Sequence, residues 1–300
     1  SGDLPFANRT PVIEPSKRVE MGTGFACLLV FAAKLGLFFL LVTLVNLRAG
    51  RGGDLERAAE AVTSDPYTLA AVQGVAFGGV LLFGLLLVAR DMPVREALRL
   101  RRPRVGHVLA AVVTGVALAL ALSELDNVLR EFRPLTELEL EGRVRLLGDP
   151  SVTHRIGLAI AIAVVAPLTE EALFRGLILG GLTSTRGPTR ALVVTSVLFG
   201  LAHVSFGADF DWPTFVVTGA AGFYLGAIAL ASGSITPAIL IHATHNAVAL
   251  LHPSELRVEG LNVLDDRVHH LPPQLVAASI AALVLAALFF RSPAGVGFRS

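Results

Sequence analysis

Two carboxylates and a guanidinium fall within six residues, Glu170-Glu171-Ala172-Leu173-Phe174-Arg175, and the flanks are apolar from Ile156 to Pro167 and from Leu177 to Leu182. A charged side chain at the centre of a bilayer helix costs about 2.5–3.5 kcal/mol on insertion scales, so ionisable groups there face a protein interior or a wet cavity and mark function. On a helix, Glu171 and Arg175 are four apart with the acid first, the favourable orientation for an ion pair on one face. Glu170 points about 100° away and is left without that partner. A carboxylate held in a low-dielectric cavity gains proton affinity and can serve as a general base for water. The spacing therefore makes Glu170 the expected base, Glu171 the orienting acid and Arg175 the group that neutralises and fixes Glu171. Exchange of the two acids' roles, and a structural ion-pair network between helices, both stay open.

Two later apolar stretches bring further polar groups. His203 follows Phe199 by four residues, so the ring and the imidazole share a helix face; the alternative is a hydrogen-bonded core histidine. His242 and Asn246 are also four apart, offering an imidazole and an amide donor toward one point, as an oxyanion stabiliser requires. His245 is read as structural.

These groups need a membrane scaffold to position them. Apolar residues make up 53% of the 300-residue chain and charged ones 16%, and the mean hydropathy is +0.67, which excludes a soluble protein. A net charge of +1 implies no nucleic-acid partner. The single cysteine, Cys27, rules out an intrachain disulfide and a multi-cysteine metal site. The expected fold is all-α, one integral-membrane domain over residues 1–300 with a polar N-terminal segment, 1–23, and the active site between helices. A hydropathy window places about eight spans, near 24–46, 67–89, 105–123, 156–182, 190–206, 212–231, 235–251 and 273–290. The fourth is longer than a bilayer needs, and Pro167 predicts a tilt or kink in it. Only Ser232-Gly233-Ser234 separates the sixth from the seventh, a tight hairpin. The polar, proline-containing start does not read as a signal peptide. Ser1 stands where a native start would have Met, and Met21 is an alternative start.

Orientation follows from the basic residues. The short 90–104 connection holds Arg90, Arg95, Arg99, Arg101, Arg102 and Arg104 and is expected to face the cytoplasm. That choice puts Arg9, Lys17, Arg18, Arg186, Arg190, Arg291 and Arg299 on the same side and both termini inside. The ten basic residues of the opposite side are diluted by acids in longer loops.

Within 124–154, Leu125, Val128, Leu129, Phe132 and Leu135 have helical spacing with charges between them, an expected amphipathic helix at the interface or on the other spans. Lys34 is expected to snorkel or to pair locally. Gly176 with Gly180, and Gly222 with Gly226, allow close helix approach.

The series Glu170-Glu171-x-x-x-Arg175, Phe199-x-x-x-His203, His242-x-x-x-Asn246, with Gly233-Ser234-Ile235 before the last, resembles the CPBP family. These are the CAAX prenyl endopeptidase and bacteriocin-processing proteins, also called the abortive-infection family. The resemblance covers about residues 155–250 and carries no departure at the motif positions. It implies an intramembrane endopeptidase in which Glu170 activates water with help from His203, while His242 and Asn246 stabilise the oxyanion. No cofactor is expected on that mechanism. A zinc-dependent alternative would use Glu170, His203 and His242 with a fourth position open to water, although no His-Glu-x-x-His helix is present. The implied partners are a peptide or membrane-protein substrate and the lipid bilayer, and the residue usage points to a bacterial inner membrane. Two other classes stay alive, a proton-coupled transporter using Glu170 and His203 as a relay, and a non-catalytic scaffold or immunity protein. Neither related halves nor paired broken helices, the usual transporter signs, are found.

Overall fold

The computed structural model describes residues 19–149, 151–204, 209–251, 258–262, 265 and 267–291. Residues 1–18 of the expected N-terminal segment, and with them Arg9, Lys17 and Arg18, lie outside the described residues, as do Arg257 and Arg299. The chain runs through α1 (Thr23–Ala49), α2 (Leu55–Thr63), α3 (Pro66–Val88), α4 (Val94–Ala97), α5 (Val105–Arg130), α6 (Glu137–Leu147), α7 (Val152–Arg186), α8 (Pro188–His203), α9 (Trp212–Ser232), α10 (Thr236–Ala249) and α11 (Pro273–Arg291). No strand occurs among the described residues.

Local chemistry sets the helix ends. The carboxylates of Asp65 and Asp211 and the hydroxyl of Ser151 accept from the amides of Thr68, Thr214 and His154, satisfying donors that a first turn leaves free. Pro66, Pro188, Pro213 and Pro237 occupy first turns, where their missing N–H costs nothing. In the expected hairpin, Gly233 takes a left-handed conformation at φ 66°. Buried Ser232 closes the turn by accepting from the Ser234 amide and donating to the Ile228 carbonyl.

Among the described residues, six helices, α1, α3, α5, α7, α9 and α11, are long and apolar enough to cross a membrane. Their outer faces are apolar, with Leu82, Leu86, Leu109 and Leu285 each more than half exposed, which suits lipid rather than water. The other two expected spans are the shorter α8 and α10, of 16 and 14 residues. At a 1.5 Å rise they reach only about 24 and 21 Å, against a hydrocarbon thickness of about 30 Å. A hydropathy window overestimates them because it also counts apolar flanks such as Val204, Leu250 and Leu251. The expected amphipathic helix from 124 is corrected as well. Neither glycine nor proline falls between Gly115 and Arg130, so nothing breaks the run and α5 continues to Arg130. A separate α6 then begins at a capping box in which Thr136 and Glu139 satisfy each other's amides.

Helix α7 is 35 residues long and carries the acid pair. Two π-helical segments, Ala159–Val165 and Ala172–Ile178, bracket its α-helical middle, Ala166–Glu171. Pro167 sits in the first turn after the earlier segment, where the wider winding takes up its missing donor, so the helix runs on through the expected kink site. π-turns inside helices occur mostly at functional sites.

Two apolar clusters fill the bundle. One joins α1, α3, α7 and α8 through Leu29, Phe77, Leu173, Phe174, Leu177 and Phe199. The other joins α5, α9, α10 and α11 through Leu118, Leu122, Leu225, Ile228, Ile241 and Phe290. Close approach within the second depends on Gly115, where a Cβ would come within 2.7 Å of the Ile241 carbonyl oxygen. The acid pair of α7 meets α10 where the two clusters adjoin.

At the end of the bundle near the α5 C-terminus, His270 is held between two carboxylates. Its Nδ1 lies 2.8 Å from Glu124 and its Nε2 2.7 Å from Glu131, while the Leu271 amide donates to the other Glu124 oxygen at 2.8 Å. Carboxylates only accept, so the ring carries both protons in this arrangement. The hydrogen bond to Glu124 comes first among the causes that raise the His270 pKa; burial opposes it, and the Glu131 hydrogen bond and the charges of both carboxylates add to the rise. A raised folded value means that the docking contribution is complete below the unfolded histidine value of about 6.5 and is lost as pH rises through the folded value. Hydrogen exchange at the Leu271 amide, corrected for its intrinsic rate, is therefore expected to lose protection as pH rises above the unfolded value of about 6.5. Protection that does not change on going from mildly acidic to alkaline buffer would contradict this.

Candidate active site

Glu171 and Arg175 form the ion pair expected from their spacing, with Nη1 2.8 Å from Oε1 and both side chains fully buried. Arg175 is satisfied further by the Gly222 carbonyl, 3.1 Å from Nη2, and its guanidinium carbon stacks 4.2 Å from the centre of the Phe199 ring. Gly222 makes this possible, because its α-hydrogen face packs on Phe199 so closely that a Cβ would stand 3.1 Å from the Phe199 Cβ. Arg175 therefore ties α7 to both α8 and α9.

The Glu171 carboxylate has a second partner that the sequence did not reveal. His242 Nδ1 lies 2.8 Å from the same Oε1, across 71 residues of chain. A carboxylate can only accept, so Nδ1 carries the proton and Nε2 is the free ring nitrogen. The side chain that Glu171 holds in place is therefore His242, a partner that the four-residue spacing did not identify.

Glu170 faces a different set. Its Oε1 accepts from Gln73 Nε2 of α3 at 3.0 Å, so the acid that spacing left unpartnered has a neutral donor. Its Oε2 is buried without a hydrogen bond and lies 3.6 Å from His203 Nε2, beyond direct bonding distance. His203 Nδ1 donates to the Phe199 carbonyl at 2.7 Å, which leaves a lone pair at Nε2 in the neutral ring. The Glu170 oxygen and the His203 nitrogen that face one another are therefore both able to accept a proton.

Phe199 sits at the hub. Its ring centre is 4.4 Å from that of His203, 6.0 Å from that of His242 and 5.0 Å from that of Phe174. The ring spaces the two imidazoles and covers the ion pair. Asn246 is one turn beyond His242 on α10, and its Nδ2 donates to the Ile162 carbonyl at 2.7 Å. Ile162 belongs to the first π segment of α7, so the altered winding supplies the carbonyl that Asn246 uses. The bond to Ile162 uses one of the two amide hydrogens of Asn246. His245 stands apart, with a buried Nδ1 that has no hydrogen bond.

The snorkelling or local pair expected of Lys34 is replaced by a long-range contact. Its Nζ donates to the carbonyls of Ala202 and Val204 at 2.9 and 3.1 Å, at the C-terminal end of α8 on either side of His203. Neither Gln73 nor Lys34 had a sequence signal beyond being a polar side chain inside a long apolar run.

The zinc alternative can be tested on these donors. Both histidines are anchored through Nδ1, as metal-bound imidazoles commonly are. Among the described residues, however, no group of three or more His, Cys, Asp or Glu is arranged to hold a metal ion. His242 turns to Glu171, while Glu170 turns to His203. The residues present do not fit the expected three-ligand site.

Residues 152–248, about a third of the chain, match the family model described as Rce1-like, type II CAAX prenyl endopeptidase. Neither a curated protein nor a solved structure matches the chain.

Proposed function

From the match of residues 152–248 to the Rce1-like family of type II CAAX prenyl endopeptidases, we propose that this integral membrane protein hydrolyses peptide bonds of a membrane-associated substrate by glutamate-activated water. The observation that carries the reading is the facing pair, Glu170 Oε2 and His203 Nε2, 3.6 Å apart and each able to accept. Two acceptors at that separation can share one water at about 2.8 Å from each.

Chemistry follows from the placement. Glu170 removes a proton from the water as its oxygen attacks the scissile carbonyl carbon, and His203 holds the second water hydrogen. The new oxyanion is met by the remaining Asn246 amide hydrogen and by His242 through Nε2. Donation from Nε2 takes the doubly protonated ring, whose charge is compensated by the Glu171 carboxylate on Nδ1. Collapse breaks the C–N bond as the proton held by Glu170 passes to the leaving amine, giving a carboxylic acid and an amine; the acid's proton then passes to the amine, leaving a carboxylate and an ammonium. Arg175 keeps Glu171 in place and touches no reacting atom.

One oxyanion donor is commonly worth about 10²–10³ in kcat. Asn246→Ala is expected to lower kcat by that factor with little change in KM, because the lost bond is made to the developing charge. The measurement is steady-state cleavage of a farnesylated CAAX peptide, and in parallel of a bilayer-anchored leader peptide, by the protein in lipid nanodiscs. An unchanged kcat would remove Asn246 from the mechanism.

A further inference from the structure

Both groups of the proposed water-activating pair are held by side chains from outside the family-matched segment. Helix α3 is apolar from Leu69 to Val88 except for Gln73, and that single amide donates to Glu170 Oε1 at 3.0 Å. Next to it, a Cβ at Gly74 would stand in ordinary contact with Val165, 3.6 Å away, so α3 packs against α7 at this level. A carboxylate on a helix can rotate about its terminal bond. Fixing Oε1 with a neutral donor selects the rotamer in which Oε2, buried and without a hydrogen bond, turns to His203. A cation in Gln73's place would instead compete with the water for the base.

Lys34 of α1 acts on the other half. His203 is the last residue of α8, and a helix end leaves carbonyls without partners. The Lys34 ammonium takes two of them, from Ala202 and Val204, and its charge sits favourably at the negative end of the helix. The contact reaches across 168 and 170 residues, so it sets α8 against α1 rather than stabilising a local turn.

We propose that Gln73 and Lys34 are positioning residues for hydrolysis, Gln73 fixing the Glu170 carboxylate and Lys34 fixing the His203-bearing end of α8. The catalytic unit therefore includes α1 and α3 as well as residues 152–248. This rests on the reading of Glu170 as the base.

The test is a double-mutant cycle on the full chain in nanodiscs, with the farnesylated CAAX peptide and the leader peptide as probes. Gln73→Met keeps the length of the side chain, removes the donor and introduces no polar group into the apolar helix. It is expected to lower kcat by about tenfold or more with KM within about twofold. In a Glu170→Gln background the same change should add nothing to the loss. Lys34→Met should likewise lower kcat, and Lys34→Arg, which keeps the donors and charge, should recover part of it. Thermal unfolding of Gln73→Met, Glu170→Met and the double variant gives a second cycle that does not depend on turnover; methionine at 170 removes the oxygen that accepts from Gln73, so coupling between the two positions is expected there too. A folded Gln73→Met protein with wild-type kcat, or additive losses in either cycle, would overturn the assignment. If Glu170→Gln itself left cleavage intact, the reading of the base would fail, which is a different outcome.

Discussion

Removing either member of the buried ion pair is expected to cost about 3–5 kcal/mol, because the partner is left charged and uncompensated. Arg175→Ala strips Glu171 of its cation, frees the Gly222 carbonyl and empties the space over Phe199. Glu171→Ala leaves the guanidinium buried and also releases His242. Against a typical total of about 5–15 kcal/mol, either loss is a large share of the fold's stability. Arg175→Lys should recover only part, since one ammonium cannot reach Glu171 and Gly222 and stack on the ring together. Thermal unfolding and yield of folded protein in the membrane measure this. Wild-type unfolding temperatures for both alanine variants would show that the pair contributes nothing.

How much of this site could be read from the sequence depended on whether a contact was local. The Glu171–Arg175 pair is written in a four-residue spacing, and so is the sharing of one face by His242 and Asn246. Periodicity says nothing about what stands opposite a helix face. The bonds from His242 to Glu171, Gln73 to Glu170 and Lys34 to the end of α8 each join residues at least 71 positions apart. The roles of the two acids depended on those bonds: spacing made Glu171 an orienter without showing that what it orients is His242. Hydropathy located every helix that carries the site but gave α8 and α10 too much length, since apolarity continues past their ends. The π segments were invisible because they arise from how α7 packs, and only Pro167 hinted that its winding is irregular there.

Glu170→Gln is expected to reduce cleavage by about 10²–10⁴, the usual contribution of a general base, while leaving the fold nearly intact. The amide has the volume of the acid, and its oxygen can still accept from Gln73. What it loses is the capacity to take a proton from water. No ion pair is broken, because the Glu171–Arg175 pair does not pass through Glu170. The effect should therefore appear in kcat and not in the unfolding temperature, the reverse of the pattern at Arg175.

The most direct measurement of the central claim is cleavage of the farnesylated CAAX peptide and the leader peptide by wild type and Glu170→Gln in nanodiscs, with and without a strong chelator, products identified by mass. The account predicts scission of an internal peptide bond by wild type, undiminished by the chelator and lost in the folded variant. Cleavage retained above about a tenth of wild type in Glu170→Gln, or wild-type cleavage silenced by the chelator and restored by zinc, would contradict it.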